Sequence, residues 1–357
     1  MARSGPSSRT QRRRAVRPTA GPSSTSRSAT SFGQGAGRPV RPSRTSDSRA
    51  ERGTTLSMPQ PMHREGYATG PGGLRLYYRI DGEQGPFLVC ANGIGVSTFF
   101  WEPFATRIAE RYRVVRWDYR GHGRSDGPED PREISVSACA DDLAAVMDAA
   151  GVERAVHLGH SLGVQVGFEL YARRPERVLA LVPTMGTYRR FIETFFDSKS
   201  SLRAFEVIKS IVEKAPGLVT RATRPVLTSG VAESLARVVG IIDPSLAPHE
   251  LMVPFMEHLV RMDLRTWIAL AEDMQRYDAS AILPRIEVPA LVVAAERDLF
   301  TPLRVVAEMA HLIPGAELLV IPNATHAALI EQPDLLSLRV SKFLDERVFT
   351  GGERAAG

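Results

Sequence analysis

The stretch Gly159-His160-Ser161-Leu162-Gly163 stands between a short apolar run, Ala155–Leu158, and a longer amphipathic one ending at Arg173. The first has the length and texture of a buried strand and the second that of a helix, so the five residues form a strand-to-helix turn. A serine at such a turn is lifted above the sheet on a strained backbone. Side chains two positions away would collide there, so the flanking residues must be small. The turn also sets Ser161 at a helix N-terminus, where free N–H groups favour developing negative charge. The pattern alone recurs by chance in unrelated chains; its weight comes from this context.

On either side, strand-like and helix-like runs alternate. Before the turn come Leu74–Ile80 closed by Asp81-Gly82, Phe87–Ala91, a helix to about Arg111, Tyr112–Trp117, and a helix over about 136–150. After it come Val178–Val182, and then Ala290–Ala294, a helix Pro302–Leu312, Glu317–Ile321, and a closing helix near 333–347. Runs of β then α predict an α/β fold, a mostly parallel central sheet with helices on both faces. The rhythm stops between 187 and 285. That segment is helix-like, with apolar positions such as Phe191, Phe195, Phe205, Ile208, Phe255, Leu259 and Trp267, and it predicts a helical insertion. Most of these side chains are expected to pack within the segment and a minority to line a pocket. The core is therefore expected over 64–186 and 286–350.

Composition narrows the function classes. Of the 357 residues, 43% are hydrophobic and 24% charged, as in an ordinary globular protein. The formal charge of +5 is unevenly placed. Residues 1–52 carry roughly twelve arginines against Asp47 and Glu51, which leaves about −5 for the rest, so nothing points to nucleic-acid binding by the folded part. Residues 1–63, rich in Ser, Arg, Pro, Gly and Thr, bury too little to offset ordering and read as a disordered tail. Cys90 and Cys139 provide no disulfide framework, which fits a reducing, cytoplasmic setting. No run approaches the roughly 20 apolar residues of a membrane span.

A serine hydroxyl needs a base. His326 follows the last strand run, in Asn323-Ala324-Thr325-His326, at the carboxyl edge where open α/β sheets bind ligands. The other histidines, His122 and His160 among them, lack that combination of loop and edge. The base needs an acceptor to hold its tautomer. Asp298 ends Ala295-Glu296-Arg297-Asp298 at another carboxyl edge, with Glu296 as competitor, whereas Thr184-Met185-Gly186 after the earlier strand offers no carboxylate. The resulting chain order is Ser161, Asp298, His326. The loop Asn92-Gly93-Ile94-Gly95 can aim a backbone N–H inward, so the oxyanion donors are assigned to the N–H groups of Ile94 and Leu162. No Cys/His cluster has metal-ligand spacing and no glycine-rich loop has a phosphate-binding context, so no metal or cofactor is implied.

From about Gly66 to Val348 the chain resembles the α/β-hydrolase superfamily, in its esterase and haloperoxidase-like branch. The resemblance rests on Asn92–Gly95, Arg116–Ser125, Gly159–Gly163, Val288-Pro289 leading to Asp298, and the loop of His326. It implies that 118–125 is chiefly structural and that 187–285 is a cap domain. Asn92 stands where the family usually has His, Val164 where a small residue usually follows Gly163, and Ala295 where the acid strand usually ends in Gly. The expected activity is hydrolysis of a small to medium hydrophobic carboxylic ester or lactone through an acyl-enzyme on Ser161. C–C bond hydrolysis, amide hydrolysis and acyl transfer would use the same triad. A receptor of the same fold, binding a small ligand without catalysis, is the alternative from another class. The expected partner is the small-molecule substrate, with no nucleic acid and no membrane.

Overall fold

The computed structural model describes residues 62–350 apart from 199, 230, 232, 233, 235–242, 244 and 246–248. Its strands are β1 His63–Thr69, β2 Arg75–Asp81, β3 Phe87–Ala91, β4 Arg113–Trp117, β5 Ala155–His160, β6 Val178–Thr184, β7 Leu291–Ala295 and β8 Glu317–Ile321. They form one eight-stranded sheet in the order β1-β2-β4-β3-β5-β6-β7-β8. The β1–β2 and β2–β4 pairs are antiparallel and all others parallel.

β3 and β7 are apolar and buried at every position because both of their faces are covered. By contrast, β4 admits Arg113 and Arg116, β5 admits His157 and His160, and the edge strand β8 leaves Leu318 and Val320 exposed. Along β3, Leu88 and Cys90 join one half of the core while Val89 and Ala91 join the other. The first half is completed by α1 Glu102–Ile108, the second by α2 Val136–Ala149 and α3 Leu162–Arg173. Ser135 caps α2 by accepting the Ala138 N–H at 3.0 Å.

The seven expected strand runs all fall on strands. β1 was not expected, and its pattern explains why: of its side chains only Ala68 is buried, and pairing with β2 rather than apolar burial defines it. Residues 1–61 of the expected tail lie outside the described residues; His63, counted with that tail, opens β1 and pairs with Asp81.

Between β6 and β7 the chain runs through α4 Ser200–Lys214, α5 Pro216–Thr228, α6 His249–Arg261 and α7 Leu264–Arg276. The two ends of this excursion pair with each other. Arg189 bridges Asp278, and the Ala279 N–H donates to Tyr188 O at 2.9 Å. Helix α7 is rooted in the main core, burying Ile268, Leu270, Ala271 and Met274, and its Asp273 accepts the Val136 N–H at 2.8 Å. After β7 come α8 Leu303–Leu312, then past β8 α9 Ala328–Glu331 and α10 Pro333–Phe343. Both cysteines are buried and free. Among the described residues no helix is long and apolar enough to cross a membrane.

Candidate active site

Ser161 joins β5 to α3 with φ 54° and ψ −109°, a positive φ that strains any residue other than glycine. Its backbone is held on both sides: its N–H donates to Thr184 O, and its carbonyl accepts the Val164 N–H, each at 3.1 Å. The flanking glycines supply space. A Cβ on Gly159 would collide with the Gly163 carbonyl, and one on Gly163 with the Ala91 carbonyl. A Cβ on Gly186 would collide with Val164, so a glycine after β6 makes room for the valine beneath the turn.

Asp298 and His326, brought to the same edge by β7 and β8, are directly bonded: His326 Nδ1 donates to Asp298 Oδ2 at 2.8 Å. Asp298 is buried and fully used. Its Oδ1 accepts the N–H groups of Phe300 (2.8 Å) and Thr301 (2.9 Å), and its Oδ2 the Thr301 hydroxyl (2.7 Å). Burial pushes this carboxyl up, but the facing His326 and the Thr301 donors outweigh it and hold the group below the usual carboxylate range. Glu296 does not compete; its carboxylate is exposed and accepts the Asn323 N–H at 2.8 Å.

The loop after β3 is tied down by Asn92. Its Nδ2 donates to Trp117 O at 2.6 Å, and its carbonyl accepts the Tyr119 hydroxyl (2.9 Å) and the Gly163 N–H (3.0 Å). The Gly95 N–H donates to His122 Nε2 at 3.2 Å. The N–H groups of Gly95 and Gly163 are therefore committed. Leu162, the first residue of α3, has no intrahelical acceptor for its own N–H. Ile94 lies between Gly93, which abuts Ser161 Cβ, and the anchored Gly95.

Ser161, His326 and Ile94 line one cavity of about 510 Å³. Phe191, Phe195, Ile208, Phe255, Leu259 and Trp267 line it as well, while Phe205, Leu270 and Met274 of the same segment pack into the core. Phe196 and Leu251 are outside the described side chains. Ser161 Oγ has no hydrogen-bond partner among the described residues and opens toward this space; a serine–histidine bond is not made in this state.

The family profile described as alpha/beta hydrolase fold matches residues 85–333. This chain belongs to the α/β-hydrolase family. Among curated relatives, two proteins provisionally assigned as the carbamate hydrolase RutD are similar to it. The one from Azorhizobium caulinodans is 32% identical over 78% of this chain and 98% of its own length. The one from Agrobacterium fabrum is 29% identical over 74% of this chain and 95% of its own. Among solved structures, the enol-lactonase from Burkholderia xenovorans LB400 matches with TM-score 0.64 and 25% identity over 78% of this chain and 99% of that one. Est816, an N-acyl homoserine lactone degrading enzyme, matches with TM-score 0.63 and 25% identity over 78% of this chain and 100% of that one.

Three residues that support the site of this α/β hydrolase were passed over in the sequence. His160 is buried, and its Nε2–H donates to the His326 carbonyl at 3.0 Å, linking the serine turn to the histidine loop. Burial, reinforced by the nearby His326, holds the His160 ring down at about 3, so it is neutral. His122 donates from Nδ1 to Arg120 O at 3.1 Å, which leaves Nε2 free to accept from Gly95. Glu331 of α9 clamps Thr325, the neighbour of His326, taking its hydroxyl at 2.6 Å and its N–H at 2.7 Å. His160 and His122 act through contacts between distant loops and Glu331 through a buried clamp within its own segment, and burial of this kind leaves no local signal in the sequence.

Proposed function

We propose that this α/β hydrolase is a serine hydrolase that cleaves carboxylic esters or lactones through an acyl-enzyme on Ser161. The observation that carries the reading is the His326–Asp298 bond of 2.8 Å on the wall of the cavity into which Ser161 opens. In this reading His326 Nε2 takes the Ser161 proton as Oγ attacks the carbonyl carbon. The buried, ionised Asp298 fixes the Nδ1–H tautomer and stabilises the imidazolium. The N–H groups of Ile94 and Leu162 receive the oxyanion. His326 returns its proton to the leaving alcohol, and water, activated by the same histidine, then releases the acid and regenerates Ser161. Residues 187–285 serve as the cap that closes the cavity over the ester.

A carbamate carbonyl is the second reading, favoured by the assignment of the curated relatives; the same machinery would reach it. Both readings are tested by a fluorophosphonate probe and a panel of p-nitrophenyl esters and carbamates, alongside Ser161→Ala. Loss of a nucleophile in a serine hydrolase removes about six powers of ten in kcat. Labelling and turnover that vanish in Ser161→Ala are expected. A folded wild type that neither labels nor turns over any member would overturn the assignment and favour a ligand receptor.

A further inference from the structure

We infer that the substrate of this site is an uncharged amphiphile, a carbonyl head group on an apolar chain of several carbons. The inference rests on the serine-hydrolase reading above and concerns only what that serine acts on.

The cavity changes character from one side to the other. On the core side stand Ser161, His326 and the Gly93–Ile94 backbone. Beside them Trp267 brings its indole Nε1 against Gly95, 3.3 Å from where a Cβ would stand, so an N–H borders the same loop. The side made by α4 and α5 is hydrocarbon: Ile208, Val212, Val219 and Leu227. Thr223 adds a hydroxyl there, but its proton is given to Val219 O at 2.9 Å. Among the described residues, no Asp, Glu, Lys or Arg lines the cavity. An anion placed there would lose its water and find no charged partner on the α4–α5 side, a cost that an uncharged chain escapes. A head group at Ser161 with an alkyl tail toward α4 and α5 satisfies both sides.

Size points the same way. At about 510 Å³ the cavity is many times larger than the space a single water or a carbamate ion occupies. A carbamate ion would leave most of that space empty and its charge unpaired. Ile208 lines the cavity and is 52% exposed, so the hydrocarbon side reaches the outer surface of α4.

The test uses the full chain with p-nitrophenyl esters from acetate to dodecanoate, matched esters ending in a free carboxylate, and p-nitrophenyl carbamate. Burying one methylene is worth about fourfold, so kcat/KM should climb by about that factor per carbon until the chain fills the cavity. The terminal carboxylate should cost about tenfold or more against the neutral ester of equal length. Ile208→Asp, at a half-exposed position that tolerates a charge, should lower the decanoate-to-acetate ratio of kcat/KM by about tenfold or more. An acetate optimum, a carboxylate ester better than its neutral match, or a carbamate better than every ester would overturn the inference. If fluorophosphonate still labels Ser161 in that case, the reaction assignment survives and only the substrate class falls. No labelling and no turnover would take down both.

Discussion

Lowering the pH from 7 to 5 should remove about 6 kcal/mol of folding stability, and three buried histidines together with the part-buried His258 are the reason. Burial is the leading cause that holds His122, His157 and His258 down at about 4 and His160 at about 3, against an ordinary value of 6.5. The unfolded chain therefore takes up these protons first. Stability is intact above pH 6.5 and falls as the pH drops toward 4. Between pH 7 and 5 each histidine accounts for about 2 kcal/mol. Asp118 works in the opposite direction. Burial raises it to about 6 although it accepts the Thr98 N–H (2.8 Å) and the Arg124 N–H (3.0 Å). The native state gains that proton before the unfolded chain does and recovers about 1 kcal/mol over the same interval. The net loss is comparable to the whole stability of a typical domain, about 5–15 kcal/mol. Urea denaturation at pH 7, 6 and 5, followed by tryptophan fluorescence, should show the midpoint collapsing at constant slope. His258→Asn should flatten the dependence by about a quarter. A midpoint that stays put from pH 7 to 5 would refute the reasoning.

Asp298→Asn would leave the shape of the site but upset the His326 tautomer, with an expected loss of about four powers of ten in kcat; Glu296→Gln should stay within about twofold, and ester kinetics on both checks the choice between the two acids. His160→Phe keeps the ring but loses the donor to the His326 carbonyl. It should cut kcat by about ten- to a hundredfold with KM little changed, and His160→Gln should restore part of the loss. Gly186→Ala forces a methyl against Val164 and the Ser161 carbonyl and should cost about 1–3 kcal/mol in denaturant melts, with Val164→Ala in the same chain recovering only the part due to the valine.

The parts of the fold that declare themselves in sequence are those whose burial leaves a pattern. Phe87–Ala91 and Leu291–Ala295 are apolar at every position because both faces are covered, and such runs cannot be mistaken for loops. His63–Thr69 leaves five of its seven side chains exposed and looks like tail, since backbone pairing writes nothing into side chains. Ser161, Asp298 and His326 were legible because each follows a readable strand at the same edge. His160 and His122 were not, because each depends on which distant loop folds against it, and Glu331 was not, because its clamp on Thr325 shows only once the loop and helix are buried together. Helix α7 illustrates the same limit: its apolar stripe is visible, but whether it faces a roof or the main core is decided by tertiary packing.

The pairing of Arg189 with Asp278 gives the excursion between β6 and β7 a further property. Ser161, Asp298 and His326, the residues proposed for catalysis, lie outside it, and its two ends meet at a two-residue staple. Closing a loop costs only about 0.6 kcal/mol more for each doubling of its length, so residues can be added between α4 and α6 at little entropic cost, while α7, with Ile268, Leu270, Ala271 and Met274 buried, stays tied to the core. In the proposed reading, the residues that attack the carbonyl and the surface that chooses which carbonyl arrives thus lie on separate stretches of the chain.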